Sequence, residues 1–438
     1  MPLLSSKSNR YLKMSQIDND LEDFLNQNPQ AGTSSMNKNT PIHRWYLSPM
    51  AFSYKLVEKI IDLNSTHDVK ILDPFVGSGT TLVCAKQLGV EAVGLEMHKL
   101  MYLIANGKTT WEYASDMLET VFKETEKQVR YHWDRFSIDH YPDFLKNCYT
   151  PNSLKQLRAM WYYLQEGRDL TLYPLFTVLI SATLRKSLCV SRQLPYIQPK
   201  KKIENGTTPL NAFKTIYSMI LEDLRGLNGK YGNVETFMID ARSMKNLPHN
   251  KYDLIITSPP YLNNIDYADH TRLELYFFGF ADTWAEITKD VRSQLITAAT
   301  TQVSNKPVEF EHELNSAIPT PTGKKILDIS LKLREQRKRR ANSKHYDRLV
   351  ANYFIDMNKH LKRSFQLIED GGSYYMIIGD SAPYGISIRT DILLAALASE
   401  HGFETKILKI RDRGGRFPVA QRHNLKLRES LVILKKGA

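Results

Sequence analysis

The chain has 438 residues, 42% of them hydrophobic, and a formal net charge of +12. That length holds one large domain or a core with a second module, and the composition is ordinary for a globular protein. No apolar run approaches the roughly 20 residues of a membrane span, no apolar stretch follows Met1–Arg10 to make a secretory signal, and the three cysteines (Cys84, Cys148, Cys189) form no CxxC pair, which excludes a cysteine metal site and a disulfide framework.

Taken in order, residues 1–40 are rich in Ser, Asn, Gln and Asp. They read as a polar, poorly ordered arm with one short helix near Asp18–Leu25. Folded structure is expected over 41–438. Val69–Asp73 reads as a buried strand, Pro74–Gly79 as a turn, Thr80–Leu88 as a helix stopped by Gly89, and Glu91–Glu96 as a second strand. This unit implies a parallel sheet with crossover helices. Val234–Ile239 and Leu254–Thr257 read as further strands. Tyr346–Asp370 has helical periodicity up to Gly371-Gly372. Ser373–Ile378 reads as a strand, Arg389–His401 as a helix, and Thr405–Ile410 and Glu429–Leu434 as strands. No helix separates the last two, so an antiparallel hairpin is expected to close the sheet. Two stretches break the alternation and read as largely helical insertions. One spans about 105–230 and the other about 283–345, ending in the basic run Lys324–Lys344.

Two strings carry chemistry. In Asp73-Pro74-Phe75-Val76-Gly77-Ser78-Gly79-Thr80-Thr81 the glycines let the backbone turn tightly and approach a ligand. The helix that follows presents free N–H groups. In Asp253–Thr257 a strand ends, and Ser258-Pro259-Pro260-Tyr261 follows. The prolines fix φ and remove donors, so the loop is stiff and presents carbonyl oxygens. An exocyclic base amine is a poor nucleophile, because its lone pair is delocalised into the ring. Acceptors around its hydrogens orient it for attack, and the Ser258 hydroxyl and Pro259 carbonyl are such acceptors. Tyr261 offers a face for stacking on a base, worth roughly 1–3 kcal/mol.

The DPFVGSGTT string and the later SPPY resemble the motifs of the S-adenosylmethionine-dependent DNA amino-methyltransferases, which modify cytosine N4 or adenine N6. The resemblance covers most of the chain from Pro41 through the nineties, Val234–Tyr267, and Tyr346 to the end, but neither insertion. It implies a Rossmann-like α/β sheet. It implies that Asp73, Phe75, Gly77, Ser78, Gly79 and Thr80 hold the methionine and ribose parts of the cofactor, with Glu96 on the ribose hydroxyls and Asp240 on the adenine amine. Phe52 and Ser53, in the segment before the first strand, are expected over the methionine moiety. Ser258, Pro259, Pro260 and Tyr261 are expected to be catalytic. Within the family, Ser before the prolines leans towards cytosine N4, and Asp or Asn towards adenine N6. Many cytosine-N4 enzymes, however, place the catalytic motif before the cofactor motif, and here the order is reversed. An RNA guanine-N2 methyltransferase would carry Asp before the prolines and a sizeable RNA-binding domain in front. A catalytically dead DNA-binding relative would not keep both motifs intact.

The expected substrate is double-stranded DNA, with the target base flipped out at a cost of a few kcal/mol. A basic excess points to a polyanionic partner in any case. Arg334, Arg337, Lys338, Arg339 and Arg340, with Arg413 and Arg416 in a basic loop, are the candidates for phosphate contact. Target recognition is assigned first to the 105–230 insertion and second to 283–345. The expected setting is a restriction–modification system: a cytoplasmic enzyme, a possible cognate endonuclease without a stable complex, no membrane and no metal.

Overall fold

The computed structural model describes residues 16–64, 69–166, 169–193, 196–202, 206–303, 309–341, 343–413 and 425–437. The main sheet has strands β1 (Lys70–Asp73), β2 (Glu91–Leu95), β5 (Val234–Phe237), β6 (Tyr252–Thr257), β7 (Ile368–Gly379), β8 (Phe403–Arg413) and β9 (Leu427–Lys436). Strands β3 (Val190–Gln193) and β4 (Tyr196–Lys202) form a separate antiparallel hairpin. The order in the main sheet is β5-β2-β1-β6-β7-β9-β8. Pairings from β5 through β7 are parallel, and β9 is antiparallel to both β7 and β8. The Rossmann-like sheet and its closing hairpin are therefore as expected from the sequence.

Side chains alternate between the two faces of this sheet, as the pleat requires. Leu72, Ile255, Tyr374, Met376 and Val432 pack on one side against helices Pro321–Lys338, Tyr346–Leu367 and Thr390–Glu400. Ile71, Leu254, Ile256, Tyr375 and Ile433 pack on the other, against helices Tyr54–Asn64 and Thr80–Gln87. Helix Tyr346–Leu367 ends three residues before the expected Asp370. There β7 has already begun, with Gly371 at φ +76° inside the irregular register between Tyr252 and Leu254.

The polar arm is more ordered than its composition implied. Residues 16–27 form a helix. Its Leu21 and Leu25, one turn apart, are buried against the Ile60, Leu431 and Ile433 side of the sheet. Lys435 pairs with Asp18 at 2.8 Å and fixes the helix to β9.

Between β2 and β5 lie helices Ser115–His132, Pro151–Gln165, Tyr173–Lys186 and Pro209–Arg225. They pack around Phe122, Phe176 and Phe213, in a core that also takes in Trp45, Val83, Leu100 and Leu273. The basic stretch behaves differently. Helix Pro321–Lys338, started by Thr320 accepting from Gly323 N–H, buries Ile326 and Leu333 in the core of the sheet.

Candidate functional site

The chain reverses its direction of winding at β1, with β2 on one side and β6 on the other. In open α/β sheets such a switch point opens a crevice at the carboxyl ends of the strands. Here that crevice is a cavity of about 970 Å³, counting its open mouth.

The glycine loop forms one wall. The Thr257 hydroxyl and the Phe75 N–H both donate to Asp73 Oδ1, at 2.5 and 3.0 Å, tying the foot of this loop to the end of β6. Gly77 and Gly79 have φ of +52° and +84°, a region costly for other residues. A Cβ at Gly79 would also meet the Ala105 Cα at 3.3 Å. Phe75, Gly77, Ser78 and Thr80 all lie on the cavity wall. Lys108, fully buried behind the loop, donates to the Ser78 carbonyl at 3.0 Å.

Glu96 follows β2 and also lines the cavity. One oxygen accepts from Gly77 N–H at 2.9 Å and the other from His98 N–H at 2.8 Å. Burial pushes its carboxyl up to about 7, against those two backbone donors. Burial likewise lifts Asp73 to about 6, against hydrogen bonds from Thr257, Thr81 and Phe75. Asp240 follows β5 onto the wall, where Arg242 Nε donates to both carboxylate oxygens at 3.0 and 2.9 Å.

Phe52 reaches the wall as expected. Ser53 is instead fully buried behind it, with its hydroxyl 3.1 Å from Met36 Sδ. Asp73 is buried at the foot of the loop, so its contribution is to hold Phe75 and Thr257 in place.

The second motif faces the first across the cavity. Ser258 and Pro260 line it. The Ser258 hydroxyl is 3.3 Å from the Ile377 carbonyl on β7 and donates to it, which leaves the oxygen lone pairs as acceptors. The Tyr261 hydroxyl donates to Glu429 Oε1 at 2.9 Å, and the Arg413 guanidinium lies 5.5 Å from its ring centre.

Sequence reading missed a third wall. Asp266, Tyr267, Arg292, Gln294, Ile296 and Gln302 line the cavity too. Arg292, 2% exposed, donates from Nε to Asp266 Oδ2 at 2.8 Å and lies 4.0 Å over the Trp284 ring. Thr301 donates to the same Asp266 oxygen at 2.7 Å, and Gln302 Oε1 accepts from the N–H groups of Ala298 and Ala299. A strap spanning 287–302 thus closes over the motifs. Only residue spacing across 26 positions joins Asp266 to Arg292, and no local pattern marks it.

The expected phosphate contacts divide. Arg334 pairs with Glu311 and rests on Phe310, and Arg337 pairs at 3.1 Å with Asp347, which is 1% exposed. Lys338 bonds to Glu335 at 2.8 Å on the surface. Arg339 and Arg340 are exposed, with Arg340 over Tyr384 at 4.9 Å. Arg413 is on strand β8 and not in a loop; its Nη1 donates to the Asp380 carbonyl at 2.8 Å. Arg416 lies outside the described residues. Among the described residues no cluster of three or more metal-ligating side chains forms.

The cavity fits S-adenosylmethionine on its own chemistry. Glu96 is a half-buried acceptor that forms no ion pair among the described residues, which suits a vicinal diol. Two carboxyls lifted by burial gain from a cationic ligand, because a nearby positive charge favours their ionised forms. Phe52 and Phe75 give flat apolar contact.

Comparison with known proteins points the same way. Residues 4–107 match a DNA methylase family of N6 and N4 methyltransferases. The Type II methyltransferase M.AvaI of Nostoc sp. (strain PCC 7120) is 24% identical over 415 residues, covering 86% of this chain and 82% of that protein. M.BsoBI of Geobacillus stearothermophilus is 25% identical over 449 aligned positions, covering 91% and 86%. M.MvaI of Kocuria varians is 21% identical over 429, covering 92% and 89%. With the two motifs facing one another across a cavity that suits the methyl donor, these matches support a member of the DNA amino-methyltransferases, a family that uses S-adenosylmethionine.

Proposed function

We propose that this chain methylates the N4 amine of cytosine in duplex DNA, on a base flipped into the cavity, as the modifying partner in a restriction–modification system. The observation that carries the base assignment is Ser258 on the cavity wall, with its proton committed to the Ile377 carbonyl. Its oxygen then accepts from one amine hydrogen, and the Pro259 carbonyl accepts from the other. Together they favour a pyramidal nitrogen whose lone pair is drawn out of conjugation with the ring and aimed across the cavity. Tyr261 stacks on the extruded base.

When bound, S-adenosylmethionine supplies an electrophilic methyl carbon on a sulfonium sulfur. Glu96 holds the ribose hydroxyls, Asp240 the adenine amine, and the Phe75–Gly79 loop the methionine end. Arg242 keeps Asp240 oriented from one side. The strap shields the pocket from water. Positioning of this kind supplies roughly 7–11 kcal/mol of a barrier.

The Type II methyltransferase relatives support the restriction–modification setting. An endonuclease of the same specificity would act on the same sites without binding this chain stably. No helix among the described residues is long and apolar enough to cross a membrane. The test is to incubate unmodified duplex DNA with labelled cofactor and hydrolyse it to nucleosides. Label in 4-methylcytosine is expected. Label in 6-methyladenine would replace the base assignment, and label only in RNA offered alongside would remove the DNA reading.

A further inference from the structure

Tyr261 is held from below in a way that no catalytic motif accounts for. Gly379 on β7 and Glu429 on β9 are directly paired across the sheet. Directly paired residues point to the same face. Gly379 has no side chain there, which leaves a slot beside the Glu429 carboxylate. The edge of the Tyr261 ring and the Arg413 guanidinium fill that slot, since a Cβ on Gly379 would lie 2.8 Å from Tyr261 Cδ2 and 2.7 Å from Arg413 Nη1. The Tyr261 hydroxyl then reaches Glu429 Oε1 at 2.9 Å.

Glu429 is itself fixed. It is 3% exposed, and Arg411 Nε on β8 donates to its Oε2 at 2.7 Å. Charge-assisted bonds of this length are the strong ones. The N-terminal arm covers it from the outside. A Cβ built on Gly32 would lie 2.1 Å from the same Oε2, so the arm's backbone rests on the carboxylate.

We propose that Glu429 is a positioning residue for the methyl-transfer step, which sets the plane of the Tyr261 ring against the target base, with Gly379, Arg411 and Gly32 completing the cradle. The inference rests on the reading of Tyr261 as the stacking partner of that base. A tyrosine ring has a broad torsional well about its last bond. Slot and hydroxyl anchor together remove that freedom before the base arrives, so the base meets a preformed platform. Displacement of a reacting group by about 1 Å costs up to about 100-fold in rate.

The test is single-turnover methyl transfer with saturating cofactor and DNA. Glu429→Ala and Tyr261→Phe should each slow transfer about 10- to 100-fold, with cofactor affinity unchanged. The double variant should be no slower than the slower single one. Glu429→Gln keeps an acceptor for the hydroxyl and should recover part of the rate. Gly32→Ala puts a methyl group where Oε2 now sits, and should slow transfer in the same direction without touching the cavity. These last two variants carry the test if Glu429→Ala fails to fold. The proposal is overturned if Glu429→Ala slows the Tyr261→Phe enzyme as much as it slows wild type, or if Glu429→Gln is as slow as Glu429→Ala. Transfer to adenine instead of cytosine would change the base assignment and leave these ratios intact.

Discussion

Phe75–Thr80, Glu96 and Asp240 reach the cavity directly from strand ends, each within a few residues of the sheet. Arg292, Gln294 and Gln302 reach it from the strap, which has no regular sheet structure and is pinned to Asp266 by side chains and to Asn263 by one backbone bond, from its N–H to the Ala298 carbonyl at 2.9 Å. The first wall inherits its geometry from hydrogen bonds between strands and from two left-handed glycines. The second depends on the buried Asp266–Arg292 pair, on Gln302, on Thr297 donating to Asp356 and on a single backbone bond. Sheet-anchored parts should therefore tolerate loss of one side-chain contact, and the strap should not.

The largest expected effect is on the strap. Removing Arg292 by Arg292→Met leaves the buried Asp266 carboxylate hydrogen-bonded but without its counter-charge, which costs up to about 3–5 kcal/mol. Thermal or urea unfolding should show it, with loss of transfer in the protein that still folds. A loss below about 1 kcal/mol, the level of an exposed ion pair, would mean that the strap is held by other contacts.

Next comes Glu96 on the sheet side. Glu96→Ala should weaken cofactor binding by about 10- to 100-fold, the loss of a charged hydrogen-bond acceptor, and leave the melting temperature of the free protein nearly unchanged or raised. Titration calorimetry with S-adenosylhomocysteine measures it. Unchanged affinity would place the ribose elsewhere.

Burial has lifted Glu96 to about 7, so pH sharpens the same contrast. Diol hydroxyls donate to the ionised form. Cofactor affinity should therefore rise with pH up to about 7 and level off above it, with a limiting slope of about tenfold per unit on the acid side. The stability sign runs the other way in the free protein. A carboxyl with a raised folded-state pKa is more protonated folded than unfolded, so its contribution falls as pH climbs from the ordinary carboxyl value through about 7. The thermal shift given by cofactor should thus be larger at pH 8 than at pH 6, and Glu96→Gln should flatten the trend.

The smallest effects concern the basic helix. Arg337→Ala should cost stability, because it strips a partner from buried Asp347, while changing DNA binding little. Arg339→Ala should leave stability alone and lower the salt slope of DNA binding by about one phosphate contact. The reverse pattern would make Arg337 the DNA contact.

These differences also mark what could be read in the sequence. Ile71 and Leu72 on β1, and Tyr374 and Tyr375 on β7, show the alternation and boundaries of buried strands, and the glycine loop carries its own turn chemistry. Local signals suffice for such parts. Arg334 and Arg337 read as free charge because their partners, Glu311 and Asp347, are near only in space. Ser53 sits in the right segment but points to Met36, a matter of side-chain direction that spacing does not reveal. Leu21 and Leu25 make an apolar pair too small to stand out in a polar arm, yet sufficient once β9 lies beneath them.

The most direct test of the account is single-turnover transfer by Ser258→Ala, with cofactor binding measured on the same preparation. The account predicts cofactor affinity equal to wild type and a transfer rate reduced about 100-fold or more, as for loss of a preorganised polar contact to the reacting group. A transfer rate equal to wild type would contradict it, because the amine would then be oriented by some group other than the Ser258 oxygen.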